Sequence, residues 1–260
     1  MAGTGWKMNH SLADTQRYAG QLSAWSAGQD LSAIELFVLP PFTALHTAHL
    51  ALQATPVGIG GQNMHWEKQG GWTGEISASM LKEVGCRYVE LAHSERLQHF
   101  GENYAAVRRK LDLALEFGLT PILCLGETAE EKAAGRADAV LAEQLETALA
   151  GQAADRIPEV VLAYEPRWAI GGADAAAPAY VAERHRALRD WLRQQRSEAA
   201  AQGTRILYGG SVTPENGPPM LALDDVDGLF VGRAAWQAEG FIRIIDIVRE
   251  AAIRRAAGQT

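Results

Sequence analysis

Glu159-Val160-Val161-Leu162-Ala163-Tyr164-Glu165-Pro166 sets an unbroken apolar run between two charges and ends it on a carboxylate that precedes proline. A short apolar run without alternation is the pattern of a strand buried on both faces, as in a parallel sheet. Pro166 biases Glu165 towards extended backbone, which fixes how the carboxylate leaves the strand. Outward from this stretch the same unit recurs. Runs at 3–8, 35–40, 57–62, 88–93, 120–125, 160–165, 205–209 and 228–232 read as strands. Helical patterns separate them: Ser11 opens one through about Ser26 with a capping-box pattern, and Glu102 to Phe117 carries an apolar stripe stopped by Gly118. Asp138 to Leu149, a long helix from Pro178 to near Gly203, and Phe241 to Ile253 complete the set. Eight β/α units within 260 residues, with no linker or composition break, predict one closed (β/α)8 barrel spanning 1–260. An open doubly wound sheet is disfavoured, because the chain has no GxGxxG turn.

Composition narrows the function. Net charge is −7 with no basic stripe, so nucleic acid and anionic membrane are not expected partners. No apolar run reaches the roughly 18 residues of a membrane helix. Lys7 interrupts the first apolar stretch, so no signal peptide is expected. Cys86 and Cys124 stand apart from any CxxC pair and read as buried thiols of a cytoplasmic protein.

In a barrel of this kind the chemistry lies where strands end. The first run ends in Trp6-Lys7-Met8-Asn9, which puts an ammonium either at the mouth or on the surface. The fourth ends in His93-Ser94-Glu95-Arg96, and a histidine there either polarises a carbonyl or is a satisfied core residue. The sixth ends in Glu165, whose carboxylate against apolar walls should titrate high, as a general base near neutrality requires. The seventh and eighth end in Gly209-Gly210-Ser211 and Val231-Gly232-Arg233, where backbone N–H groups can approach a phosphate. Gly210-Ser211 half-matches a nucleophile elbow, but Thr213 replaces its last glycine, which argues against a serine hydrolase.

Six motifs in order resemble the triosephosphate isomerase family along the whole chain. They are Trp6-Lys7-Met8-Asn9, Thr73-Gly74-Glu75-Ile76-Ser77, His93-Ser94-Glu95-Arg96, Cys124-Leu125-Gly126-Glu127-Thr128, Ala163-Tyr164-Glu165-Pro166 and Tyr208-Gly209-Gly210-Ser211-Val212. The resemblance implies a TIM barrel with Glu165 as base, neutral His93 as electrophile, Lys7 as the cation facing an anionic substrate, and Glu95 as their support. It implies backbone phosphate contacts at Gly171, Ser211, Gly232 and Arg233, a closing lid over about 166–176, and no metal or organic cofactor. It also implies a homodimer in which segment 63–75 carries Thr73 towards the partner's site.

Six positions depart from the family pattern. Gly5 stands where the family has Asn, Ala92 where it has Gly, Arg233 where it has Gly, and Gly172-Ala173-Asp174 where Thr-Gly-Lys is common. Loss of the Asn side chain beside the substrate suggests a larger compound. Segments 62–66, 71–75 and 228–236 resemble the branch that isomerises erythrulose phosphate, so the expected substrate is L-erythrulose 1-phosphate, interconverted with D-erythrulose 4-phosphate. The alternatives are an ordinary triose phosphate isomerase of glycolysis, an inactive barrel kept for binding, and a metal hydrolase built on His46 and His49.

Overall fold

A computed structural model describes residues 1–171 and 175–258. Eight parallel strands close on themselves in sequence order: β1 (Ala2–Gly5), β2 (Leu36–Leu39), β3 (Val57–Gly61), β4 (Tyr88–Leu91), β5 (Thr120–Leu125), β6 (Val161–Tyr164), β7 (Ile206–Tyr208) and β8 (Gly228–Val231). Closure is made by β1 against β8, with Gly3 opposite Phe230 and Thr4 opposite Val231. This is the single closed barrel expected. All but β5 end sooner than expected, so Trp6, Lys7, His93 and Glu165 lie just beyond their strands, on backbone free to take turn conformations.

Alternation along the strands divides the core in two. Phe37, Leu39, Tyr88, Ile122, Cys124, Val161, Ala163, Leu207 and Phe230 point inward and fill the barrel. Their alternating neighbours, among them Val38, Val89, Leu91, Leu123, Leu162 and Tyr164, pack outward against the helices. The inward rings need small partners. A Cβ on Gly3 would fall 1.8 Å from the Phe37 ring, and one on Gly58 2.5 Å from Tyr88. Large side chains therefore face glycines across the interior, and the middle of the barrel is solid.

The outer layer is α1 (Leu12–Ser26), α2 (Leu45–Leu52), α3 (Ala78–Glu83), α4 (Ser94–His99), α5 (Tyr104–Glu116), α6 (Ala129–Ala133), α7 (Ala137–Ala148), α8 (Pro178–Gln195), α9 (Glu198–Gly203), α10 (Gly217–Leu221) and α11 (Ala238–Ala256). Ser11 caps α1 in a full capping box with Asp14. Gly118, at φ 66°, ends α5 as read from sequence. The helix expected from Pro178 to Gly203 is instead two. Arg196 leaves helical geometry (φ −125°, ψ −82°), and the Ser197 hydroxyl accepts from Ala200 N–H to start α9. None of the described helices is long and apolar enough to cross a membrane.

Candidate active site

The strand ends converge on a cavity of about 420 Å³. Its floor is Gly5, Glu90 and Phe230, all within strands; Lys7, His93 and Glu165 form its wall; Gly171, Ser211, Gly232 and Arg233 stand at its rim, past the ends of β6, β7 and β8. Eight of the nine positions singled out in sequence therefore face one space. Glu95, the ninth, is not in the lining but stands behind it.

Lys7 sits in the left-handed region at φ 52°. Gln62 holds it there, donating to the carbonyls of Lys7 and Leu39 at 2.9 Å each, while Asn9 donates to Trp6 O at 2.7 Å. The result turns the ammonium back over the barrel, where Nζ meets Glu95 Oε1 at 2.7 Å. Ala92 is also left-handed, at φ 63°. Such a residue costs an L side chain about 1–2 kcal/mol, which accounts for glycine being the family's usual choice there.

His93 caps α4. Its Nδ1 accepts the Glu95 backbone N–H at 3.2 Å, so Nδ1 is unprotonated and the neutral ring carries its hydrogen on Nε2. Burial, reinforced by the Lys7 charge, lowers the ring's pKa to about 4, so it is neutral at pH 7. Nε2 points across the cavity to Glu165 Oε2, 3.9 Å away.

Glu165 is 5% exposed, and Oε2 is buried without a hydrogen-bond partner among the described residues. Burial raises its pKa to about 8, with Lys7 opposing that shift. Room for it depends on Gly209, where a Cβ would fall 2.7 Å from Glu165 Cγ. An unsatisfied carboxylate oxygen and an N–H donor, 3.9 Å apart and lining the same cavity, can both reach a small carbonyl compound lying beside them.

The triosephosphate isomerase family model matches residues 1–248. The chain belongs to the triosephosphate isomerase family. It is 43% identical over 246 residues to the L-erythrulose-1-phosphate isomerase of Mycolicibacterium smegmatis, covering 94% of this chain and 91% of that protein. It is 44% identical over 244 residues to the L-erythrulose-1-phosphate isomerase of Brucella abortus, covering 94% of each. It is also 44% identical over 240 residues to the triosephosphate isomerase of Herpetosiphon aurantiacus, covering 92% of this chain and 95% of that one. The protein is an isomerase of this family.

Around the site of this family member lie groups that sequence reading did not single out. Glu127 is fully buried and accepts from Tyr164 Oη at 3.1 Å, Trp168 Nε1 at 2.7 Å and Tyr180 Oη at 2.8 Å. Trp168 lies near the start of the expected lid and Tyr180 just past its end, so one carboxylate ties down both feet; the centre, 172–174, lies outside the described residues. Trp236 Nε1 donates to Gly5 O at 3.1 Å and closes the floor between β1 and β8. Glu90 could have been found by parity: an acid two residues after inward-facing Tyr88 must also face inward.

Two expectations are placed elsewhere. His46 is exposed, His49 packs against Gly85, and neither joins a metal-ligating group among the described residues. One such group does exist, Glu90 with His93 and Glu165 within 4.8 Å of one another, but the Lys7 charge on the same wall opposes a cation there. Thr73 is exposed on segment 63–75 and does not line this chain's own cavity.

Proposed function

We propose that this isomerase acts on a four-carbon ketose phosphate, interconverting L-erythrulose 1-phosphate and D-erythrulose 4-phosphate. The observation that carries this reading is Gly5. A Cβ there would lie 3.5 Å from Phe230 and 4.0 Å from Glu90 Oε2, so the floor holds open space where a side chain would fit. The names of the Mycolicibacterium and Brucella relatives agree with it.

In this reading the phosphate lies at the rim, held by N–H groups of Gly171, Ser211, Gly232 and Arg233. Glu165 removes the C3 proton of L-erythrulose 1-phosphate as the His93 Nε2–H hydrogen-bonds the C2 oxygen. The electron pair moves into a cis-enediolate whose negative charge faces Lys7, with Glu95 holding the ammonium in place. The hydroxyl proton on the C3 oxygen passes to the C2 oxygen, and protonation of C2 by Glu165 with collapse of the C3 oxygen to a carbonyl gives D-erythrulose 4-phosphate. The lid over 166–176 would exclude water from the enediolate.

Side-by-side kinetics test the substrate. The wild type should turn over L-erythrulose 1-phosphate at least tenfold more efficiently than dihydroxyacetone phosphate, and Gly5→Asn should cut that preference by about 10- to 100-fold by filling the floor. The added side chain meets only ordinary van der Waals contacts at its base, so the variant should fold. Preference of the wild type for the triose would instead make it an ordinary member like the Herpetosiphon enzyme.

The functional unit in this reading is a homodimer. Met8 is 96% exposed beside Lys7, and Trp72 is 46% exposed next to Thr73. Segment 63–75 is internally braced, with His65 stacked on Trp66 at 4.4 Å and His65 N–H bonded to Ile76 O at its base, so it projects as a rigid finger. Sedimentation equilibrium should return twice the mass of one chain, and a single-chain mass at micromolar concentration would remove the dimer.

A further inference from the structure

Glu90 has a place in the cavity and no role in the chemistry above. It is 5% exposed, on β4, at the level of Phe230 and directly across from Gly5. Its Oε1 meets only the Cys124 thiol, at 3.8 Å, and it forms no ion pair among the described residues. A carboxyl in an otherwise apolar barrel interior is costly, and an apolar side chain would fill the same position without that penalty. The charged and titratable groups around it are Glu165, His93, Lys7, Glu95 and Cys124. Burial, and the Glu165 carboxylate when ionised, push its pKa well above the ordinary carboxylate range. That shift favours the protonated form, which can both donate and accept a hydrogen bond.

The placement of the substrate follows from the cavity's order. Phosphate at the rim and the reacting carbons between Glu165 and His93 leave the end remote from phosphate over the floor. That end is where a four-carbon ketose phosphate differs from a triose phosphate, by one hydroxymethyl group. We propose that Glu90 is the specificity-determining residue, its carboxyl hydrogen-bonding the terminal hydroxyl that the three-carbon compound lacks, within the space left by Gly5. This rests on the four-carbon reading above. The same carboxyl works in both directions: it rewards the hydroxyl when present, and stays buried and unpaired when a triose phosphate closes over it.

The test compares wild type, Glu90→Leu and Glu90→Gln on L-erythrulose 1-phosphate, its 4-deoxy analogue and dihydroxyacetone phosphate, with melting temperatures to show folding. Glu90→Leu should lower the tetrulose-to-triose ratio of kcat/KM on the order of 30- to 100-fold, mostly by loss on the tetrulose. Glu90→Gln, which keeps a donor and an acceptor, should restore most of that ratio. The wild type should lose a similar factor on the 4-deoxy analogue, and Glu90→Leu should lose nothing more on it. An unchanged ratio in Glu90→Leu, or parallel loss on all three compounds, overturns the assignment whichever compound the wild type prefers. Should Glu90→Leu not fold, undiminished wild-type turnover of the 4-deoxy analogue overturns it alone. Preference of the wild type for the triose ends the four-carbon reading separately.

Discussion

Glu165→Gln is expected to lower kcat by about 10³- to 10⁴-fold on the preferred substrate, with little change in KM. The amide matches the carboxylate in shape, so the pocket and Gly209 beneath it are undisturbed, but it cannot take up a proton. Shape and chemistry separate further in Glu165→Asp, where retreat of the carboxylate by roughly 1 Å should cost about 10²-fold. An inactive barrel kept for binding would show no turnover in the wild type, and its ligand affinity would be unchanged in either variant. The pH dependence carries its own sign. Burial raises Glu165 from 4.5 to about 8, so the basic form of the free enzyme grows as pH rises through that value, and kcat/KM should climb with it. Stability runs the other way. A carboxyl with a raised folded-state pKa favours the fold most below 4.5, and that contribution is lost as pH rises through the folded value of about 8. Melting temperature of the wild type should therefore fall more steeply across this window than that of Glu165→Gln. Parallel melting curves across the window would show that burial does not perturb this carboxyl as argued.

Glu127→Leu should carry the largest loss of stability. It removes a buried acceptor shared by three donors. Tyr164 is fully buried and its Oη has no other partner among the described residues, whereas Trp168 and Tyr180 are partly exposed and can turn to water. One fully stranded donor and two weakened ones, at about 1–3 kcal/mol for the first and less for the others, sum to about 3 kcal/mol. For a domain of this size that corresponds to a fall in Tm of roughly 6–12 °C. Lys132, 3.3 Å over the Trp168 ring, retains part of the lid's anchorage, so the foot at Trp168 should loosen but not detach. Differential scanning calorimetry reads the first effect, and protection of the 166–171 amides from hydrogen exchange reads the second. An unchanged Tm would mean that the three donors find water as readily as they find Glu127.

The fold was legible in the sequence because each strand is an apolar run too short for a helix and each run stops at glycine, proline or charge. The long run from Pro178 misled because its composition stays helical through Arg196; only the Ser197 cap, a single hydroxyl, reveals the break. The wall and rim residues could be read because they follow strands in recognisable motifs. Glu90 escaped because Tyr88-Val89-Glu90-Leu91 reads as a strand whatever its third residue, and only closure of the barrel brings that carboxyl beneath Gly5. Glu127 stood in a motif, but its three donors come from three separate segments. Sequence spacing does not encode such a convergence.

The two left-handed residues beside the site, Lys7 and Ala92, have a consequence for binding. Their torsional energy is committed when the chain folds and Gln62 clasps the end of β1, long before any ligand arrives. A sugar phosphate entering the cavity therefore meets backbone that has already surrendered its freedom, and the entropy of association falls on the ligand and the lid alone.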